Sequence, residues 1–376
     1  MIAPVIRAGT LDQDDQQIAE ATTESAETDR SVLAEAFVDK YGWSEAERAL
    51  LPSDASEKTL VRLTDNAVDP PSQAIFMDWP ASPVVLNQFV RIHELLRNLG
   101  ITTPELMARD LENGFMLVED FGDDVFSKLI DGGQDPKPLL TRATKLLIAL
   151  HKRFDAPMGR GLKTYDAATF ADQAALFMDA YMRGADLLPE DPMELQELVE
   201  IFLQVWEAAL QPACEMPNSL ILRDYIVDNL MLLEVPDDPA AELGDNSLRR
   251  IGVLDFQDGG IGPGIYDLVS LLEDVRRDVS PDLVRMMCQG YLKSFPDIDP
   301  AKFQTAYNIL KAQRLTRILG VFARLAIDEG DDRYMQHLPR CWKLLEEVLE
   351  AEPELDGVRA WFDRNIPSEF RAGLVA

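Results

Sequence analysis

Two apolar runs in the second half of the chain, joined by a polar connection, constrain the fold more than any other feature. They are LMLLEV at 230–235 and RIGVLDF at 250–256. Short apolar runs bounded by turn-forming residues predict strands, and the simplest arrangement of these two is an antiparallel hairpin. The start of the first strand then lies beside the end of the second, so Asn229 is expected next to Asp255. Asp224 falls in the loop that enters the hairpin.

Three oxygen-bearing side chains are therefore expected at one hairpin end. One amide and one carboxylate are hard oxygen ligands that suit Mg²⁺ held on substrate phosphates. A further carboxylate outside the metal shell can orient a hydroxyl group and accept its proton. Such a site suits phosphoryl transfer, in which positioning and charge neutralisation supply most of the rate. The alternative is that these residues only form turns at strand ends.

The chain divides into three regions of different patterning. Residues 1–30 are mostly polar and acidic, which predicts a disordered leader. Residues 31–122 show strand-like runs around one amphipathic helix, which predicts a small nucleotide-binding N-lobe. Residues 123–376 are predicted to form a larger C-lobe that carries the catalytic loop and the metal and sugar sites. Helical periodicity covers 138–154, 167–183, 193–210, 265–277, 281–293, 300–328 and 333–350.

Charge and composition limit the partners and the compartment. The net charge of −30 opposes binding to nucleic acids and anionic membranes. Three scattered cysteines and three histidines argue against a disulfide framework, a structural zinc and a multi-histidine metal centre. The sequence shows neither a long apolar run nor the pattern of an export signal. We therefore expect a cytoplasmic protein that acts on small molecules and has no obligate protein partner.

The segments LRDYIVDN and LDFQD resemble the catalytic loop and the metal-binding segment of aminoglycoside phosphotransferase and choline kinase-like enzymes. A narrower resemblance, to the cell-wall amino-sugar kinases, runs from about Leu51 to Trp361. It is carried by SDAS, LVEDFGD, LDFQDGGIGPGIYDLVSLLEDVRRD, AQRLTRILGVFARLA and YMQHLPRCW. The resemblance implies an α+β, two-lobed protein-kinase-like fold with a small β-rich N-lobe and a larger helical C-lobe. It also implies an ATP- and Mg²⁺-dependent phosphotransferase that acts on the anomeric 1-hydroxyl of N-acetylmuramate and N-acetylglucosamine in peptidoglycan recycling.

In the C-lobe the resemblance implies that Asp224 is the catalytic base and that Asn229 and Asp255 hold Mg²⁺. Asp267 matches a carboxylate that braces the catalytic loop. Leu222 departs from the family pattern, because many relatives have histidine at this position.

In the N-lobe the resemblance implies nucleotide contacts from two segments. The turn that covers the phosphates comprises Ser53, Asp54, Ala55 and Ser56. The hinge whose backbone meets the adenine comprises Glu119, Asp120 and Phe121. The strand at 73–79 lacks the lysine with which protein kinases pair the phosphates, and Met77 takes its position. Arg62 is the candidate replacement cation, and a side chain directed to solvent is the alternative.

Substrate contacts are less constrained by the sequence. Arg314, Arg317 and Arg324 follow helical spacing and form a basic stripe that suits the lactyl carboxylate of a muramic sugar. The alternative is a solvated or ion-paired face of an acidic protein. Asp258 either contacts sugar hydroxyls or caps a turn. His151 lies on an apolar helix face and is expected to be structural.

Two other functions remain open at the level of sequence. An aminoglycoside- or choline-type kinase takes a cationic substrate, which an acidic chain would favour. A nucleotide-binding pseudokinase is suggested by the missing strand lysine and by Leu222.

Overall fold

The computed structural model describes residues 29–52, 58–233, 248 and 250–373. These residues form two compact units. The first unit contains Glu105–Asp120 and the described residues up to Asn87. The second contains Gln88–Pro104 and the described residues from Phe121 onward.

An antiparallel sheet forms most of the first unit. Its strands are β1 (Glu47–Leu50), β2 (Thr59–Asp65), β3 (Ser72–Asp78), β4 (Leu106–Asp110) and β5 (Phe115–Glu119). Among the described residues the order across the sheet is β1-β2-β3-β5-β4. Helix α1, residues 29–40, buries Phe37 and Val38 in a cluster with Leu63 and other apolar side chains of the sheet. Because successive side chains alternate between the two faces of a strand, Arg62 and Met77 lie on the opposite face.

Two boundaries differ from the sequence-based expectation. Residues 29 and 30, assigned to the leader, are already helical, and the Arg30 Nε donates to Asp78 at 3.0 Å. The rest of the leader lies outside the described residues. Helix α2 spans Pro83–Asn98, and its residues from Gln88 onward belong to the second unit. The reason is packing, since the Phe89 ring stacks on the Phe256 ring of that unit at 5.1 Å.

Helices dominate the second unit, as predicted. They are α3 (Phe126–Asp131), α4 (Pro136–Arg153), α5 (Ala167–Ala174), α6 (Pro192–Cys214), α7 (Ile265–Leu272), α8 (Pro281–Ser294), α9 (Pro300–Asp328), α10 (Leu338–Ala351) and α11 (Asp356–Asn365). A π-helical turn at Phe177–Met182 follows α5. None of the helices in the described part of the chain is long and apolar enough to span a membrane.

Local sequence sets where several of these helices begin. A residue whose side chain accepts backbone N–H groups of the first turn is followed by proline, whose missing N–H costs nothing at that position. These caps are Asp135, Asp191, Ser280 and Asp299.

Two short antiparallel ladders complete the second unit. Strand β6 (Asn218–Ile221) pairs with β9 (Gly260–Pro263), and β7 (Leu230–Leu232) pairs with β8 (Ile251–Val253). The second ladder confirms the predicted hairpin. Its strands are shorter than the apolar runs, and residues 234–247 lie outside the described part of the chain.

Candidate active site

The end of the β7–β8 hairpin gathers the three residues that the sequence singles out. The carbonyl oxygen of Asn229 accepts the N–H of Leu254 at 2.9 Å, which places Asn229 beside Asp255. The Asn229 side chain reaches the preceding loop, where its Nδ2 donates to the carbonyl oxygen of Asp224 at 2.9 Å. Asn229 and Asp255 thus lie side by side at the hairpin end, and Asp224 lies in the loop that the Asn229 side chain binds.

Asp255 has an unusual backbone. Its φ of 53° lies in the left-handed region, which residues with a Cβ atom adopt rarely and often at functional sites. Its side chain is exposed, and the Gln257 Nε2 donates to its Oδ1 at 3.0 Å. The strained turn therefore directs a carboxylate outward at the end of β8.

The oxygen donors at this end fit a magnesium ion that is held partly by a nucleotide. Among the described residues no group of three or more His, Cys, Asp or Glu side chains could bind a metal by itself. Because the Asn229 Nδ2 donates to the Asp224 carbonyl oxygen, the Oδ1 is the atom of this amide that can bind a cation. One amide oxygen and one carboxylate are the small protein contribution that is typical of Mg²⁺ bound to substrate phosphates.

Helix α7 holds the loop that carries Asp224. The buried Asp267 carboxylate accepts the N–H of Leu222 at 2.6 Å and that of Arg223 at 2.9 Å. The Ser270 hydroxyl donates to the carbonyl oxygen of Arg223 at 3.0 Å. Burial raises the pKa of Asp267 to about 7, although both N–H groups oppose that shift. Both backbone groups of Arg223 are thus bound to one helix.

Arg223 has a structural role that the sequence analysis did not predict. Its side chain is 2% exposed, and its guanidinium lies 4.6 Å from the Tyr165 ring centroid and 4.9 Å from that of Tyr266. Such stacking stabilises a buried cation. Its φ of 75° is again left-handed. No local pattern signals this role, because the aromatic rings come from distant segments.

The charge state of Asp224 is set by a cluster of arginines. The Arg314 Nη1 lies 3.5 Å from the Asp224 Oδ1 and donates to the carbonyl oxygen of Arg223 at 3.1 Å. Burial raises the pKa of Asp224, but the guanidinium groups of Arg317, Arg314 and Arg223 together hold it below its ordinary value. Asp224 is therefore ionised at neutral pH and can accept a hydrogen bond from a hydroxyl group.

Asp258 lies close to the same carboxylate. Partial burial and the Asp224 charge raise the pKa of Asp258, whereas Arg223 and Arg317 oppose this shift. The Tyr165 hydroxyl donates to the backbone carbonyl oxygen of Asp258 and fixes the turn. The Asp258 side chain is exposed and thus accessible to a ligand.

The predicted basic stripe on α9 is divided in the structure. Arg314 is 4% exposed and lies at the Asp224 loop, so a solvated face does not describe it. Arg324 is exposed and pairs with Glu329 at 3.8 Å. The ten positions between Arg314 and Arg324 correspond to about 15 Å along a helix axis, which separates the two ends of the stripe.

In the first unit Arg62 faces another side chain rather than solvent. Its Nη2 donates to the Asp120 Oδ1 at 3.1 Å and its Nε donates to the Asp120 Oδ2. The Lys58 side chain, which the sequence did not single out, is buried with its Nζ 4.6 Å from the Trp79 ring centroid. The proposed phosphate turn at 53–56 lies outside the described residues.

The proposed hinge segment follows β5. The Glu119 Oε2 accepts the N–H of Glu105 at 3.0 Å. The backbone of Glu119 pairs with Ala74 of β3 and so belongs to the sheet. Phe121 belongs to the second unit and packs on Gly252. A Cβ atom at position 252 would lie 2.5 Å from the Phe121 ring.

An antiparallel sheet followed by a largely helical unit, with this set of polar groups, defines a kinase-like small-molecule phosphotransferase. The chain belongs to the APH phosphotransferase enzyme family, whose profile matches residues 47–304. That match covers more than half of the chain.

Named relatives extend over most of the sequence. A protein of Caulobacter vibrioides is 31% identical over 92% of this chain and 99% of its own length. A protein of Pseudomonas aeruginosa is 30% identical over 86% of this chain and 91% of its own length. Both carry the name N-acetylmuramate/N-acetylglucosamine kinase.

Solved structures show the same fold at low sequence identity. A choline kinase of Streptococcus pneumoniae covers 85% of this chain and 99% of its own, with a TM-score of 0.55 and 13% identity. An ADP-bound aminoglycoside phosphotransferase covers 85% of this chain and 97% of its own, with a TM-score of 0.54 and 16% identity. The kinase-like fold predicted from the sequence is confirmed.

Proposed function

We propose that this protein transfers the γ-phosphate of ATP to the anomeric 1-hydroxyl of N-acetylmuramate and N-acetylglucosamine, in peptidoglycan recycling. The observation that carries the proposal is the ionised Asp224 carboxylate bound through its loop to Asn229, beside Asp255. The names of the relatives support the choice of sugar. The enzyme is a phosphotransferase with an alcohol group as acceptor.

The proposal gives each polar group of the hairpin end one role. Asp224 orients the sugar hydroxyl and accepts its proton as phosphate is transferred. Asn229 and Asp255 would hold Mg²⁺, and the ion, when bound, would supply neutralisation of the phosphate charge. An anomeric hydroxyl is more acidic than other sugar hydroxyls, because the ring oxygen withdraws electrons. A carboxylate with a low pKa therefore suffices as its acceptor.

The nucleotide is proposed to contact the residues of the first unit and its boundary that the family resemblance indicates. The proposed set is Ser53, Asp54, Ala55, Ser56, Arg62, Glu119, Asp120 and Phe121. Asp267 is proposed as the brace of the catalytic loop, because its carboxylate accepts two N–H groups of that loop.

The test is to incubate the protein with ATP, Mg²⁺ and each sugar and to locate the phosphate by phosphorus NMR. We expect a 1-phosphate from both sugars and a loss of at least about 100-fold in kcat for Asp224→Asn, which keeps the size of the side chain. Phosphate at the 6-position, or no turnover of either sugar, would overturn the proposal.

A substrate panel separates the related kinases. Kanamycin and choline are tested under the same conditions, and turnover of one of them alone would establish a cationic substrate instead. If the protein bound ATP but Asp224→Asn left every measured activity unchanged, a nucleotide-binding module would replace the enzyme.

A further inference from the structure

Arg317 is a half-buried cation without a direct partner in the described part of the chain. It lies on α9 one turn after Arg314, and side chains three positions apart on a helix are neighbours. Arg314 binds the catalytic loop and Arg324 pairs with Glu329, whereas Arg317 makes neither a hydrogen bond nor an ion pair with any described residue. The guanidinium of a half-buried arginine remains accessible, so an anionic ligand can bind it without displacing a protein partner.

The surroundings of Arg317 identify the side of the site on which that ligand lies. Its charge lowers the pKa of Asp224 and acts on Asp258 and Tyr165, so all three side chains lie within its field. The Tyr165 hydroxyl is bound to the Asp258 backbone. Arg317 therefore belongs to the part of the second unit where Asp224 and the accessible Asp258 meet a substrate.

Electrostatics require a cation at this place if the substrate is an acid. Asp224, Asp255 and Asp258 would all repel a negatively charged sugar, and the whole chain carries a net charge of −30. The two proposed sugars share the 1-hydroxyl and the acetamido group and differ by one lactyl ether with its carboxylate. A planar guanidinium can bind a carboxylate through two parallel hydrogen bonds.

We propose that Arg317 binds the lactyl carboxylate of N-acetylmuramate and thereby lets this acidic site accept that sugar as well as N-acetylglucosamine. The inference rests on the proposed function and adds the residue that distinguishes the two substrates. The γ-phosphate of ATP is the other anion that Arg317 meets if this assignment is wrong. Loss of a contact to the phosphate would lower activity with both sugars equally. Loss of a contact to the lactyl carboxylate would lower activity with N-acetylmuramate more.

The experiment compares the wild-type protein with Arg317→Gln and Arg317→Lys. It measures kcat/KM for each sugar at saturating ATP and Mg²⁺, and the KM for ATP at a saturating sugar concentration. We expect Arg317→Gln to lower kcat/KM for N-acetylmuramate by about 10- to 100-fold, mainly by raising KM. A change of this size corresponds to the loss of one charge-assisted pair of hydrogen bonds. Because Arg317 also helps to keep Asp224 ionised, the value for N-acetylglucosamine should fall as well, but by about tenfold less, so the ratio of the two values is the readout. Arg317→Lys keeps the charge and should restore part of the loss.

Lys302→Gln is the matched control, because it removes one exposed positive charge from the same helix. It should leave the ratio of the two kcat/KM values unchanged. Turnover of N-acetylglucosamine shows that each variant is folded.

Three outcomes contradict the inference. Equal losses for both sugars with a raised KM for ATP would assign Arg317 to the phosphate. An unchanged ratio with normal activity would show that Arg317 has no role in substrate choice, and the proposed function would stand. No turnover of either sugar by the wild-type protein would overturn the proposed function together with the inference.

Discussion

The side-chain amide of Asn229 donates to the backbone carbonyl oxygen of Asp224 at 2.9 Å. This bond joins the proposed metal ligand to the loop of the proposed base, so a change of the Asn229 side chain also acts on the loop that carries Asp224. It also explains why an amide serves here better than a second carboxylate, which has no N–H group to donate.

Asn229→Ala removes an oxygen ligand and releases the Asp224 loop. We expect the Mg²⁺ concentration for half-maximal activity to rise at least about 10-fold and kcat to fall, because both ligand and base are affected. Initial rates over a magnesium titration measure the effect. Asn98→Ala, at the exposed end of α2, is the control. An unchanged magnesium dependence would show that Asn229 is not a ligand.

Asp267→Asn keeps the shape of the brace but offers one acceptor oxygen to two N–H groups. We expect a loss of about 1–3 kcal/mol in the free energy of unfolding, measured by urea denaturation, because one buried N–H group is left without an acceptor. Since the pKa of Asp267 is raised to about 7, the wild-type kcat should also fall as the pH drops below 7 and the carboxylate is protonated. If Asp267→Asn retained that pH dependence, another group would cause it.

Arg62→Gln breaks the two-bond pair with Asp120. If Arg62 neutralises nucleotide phosphates, the KM for ATP should rise about 10-fold, and stability should fall because the buried Asp120 carboxylate loses a cation. The double variant Arg62→Gln with Asp120→Asn should recover stability and keep the raised KM. Recovery of both values would show that the pair is structural only.

Gly320 lets α9 pass close to the π-helical turn. A Cβ atom at this position would lie 2.5 Å from the carbonyl carbon of Leu176 and 2.6 Å from the N atom of Phe177. Because these are backbone atoms, we expect Gly320→Ala to lower the free energy of unfolding by about 1–3 kcal/mol. Gly290→Ala, at an α8 position with open space around it, is the control and should not be destabilised. Equal stability of both variants would contradict the packing.

His151 should make the fold sensitive to acid. Its Nδ1 lies 2.9 Å from the Tyr291 hydroxyl oxygen, and burial lowers the pKa of His151 to about 3. The unfolded chain binds a proton near pH 6.5, so stability falls as the pH drops from there towards 3, by up to about 1.4 kcal/mol per pH unit. The difference between wild type and His151→Gln in urea denaturation from pH 7 to pH 5 isolates this contribution. A parallel pH dependence in the two proteins would contradict it.

Periodicity predicted most helices of the second unit, but it did not predict how one of them is interrupted. Residues 167–183 were expected to form one helix, and the structure divides them between α5 and the π-helical turn at Phe177–Met182. The turn faces Gly320, 143 positions after Phe177, and the close approach of the two backbones fixes its shape. Hydrophobic periodicity reports which face of a segment is buried, and it does not report what lies against that face.

The site was likewise predictable only in part. The hairpin and the positions of Asn229 and Asp255 follow from local signals, namely two apolar runs and the polar residues at their ends. The buried place of Arg314 does not, because helical spacing gives its face and not the depth of the helix in the protein.

By itself the sequence determined the elements of this protein and the polar groups at the hairpin end, because strand and turn preferences act between near neighbours. Only the tertiary structure decided which groups surround Asp224. Asp267 reaches Arg223 across 44 positions and Arg314 reaches it across 91. Contacts over such separations, and the burial that sets charge states, arise only when the helices pack.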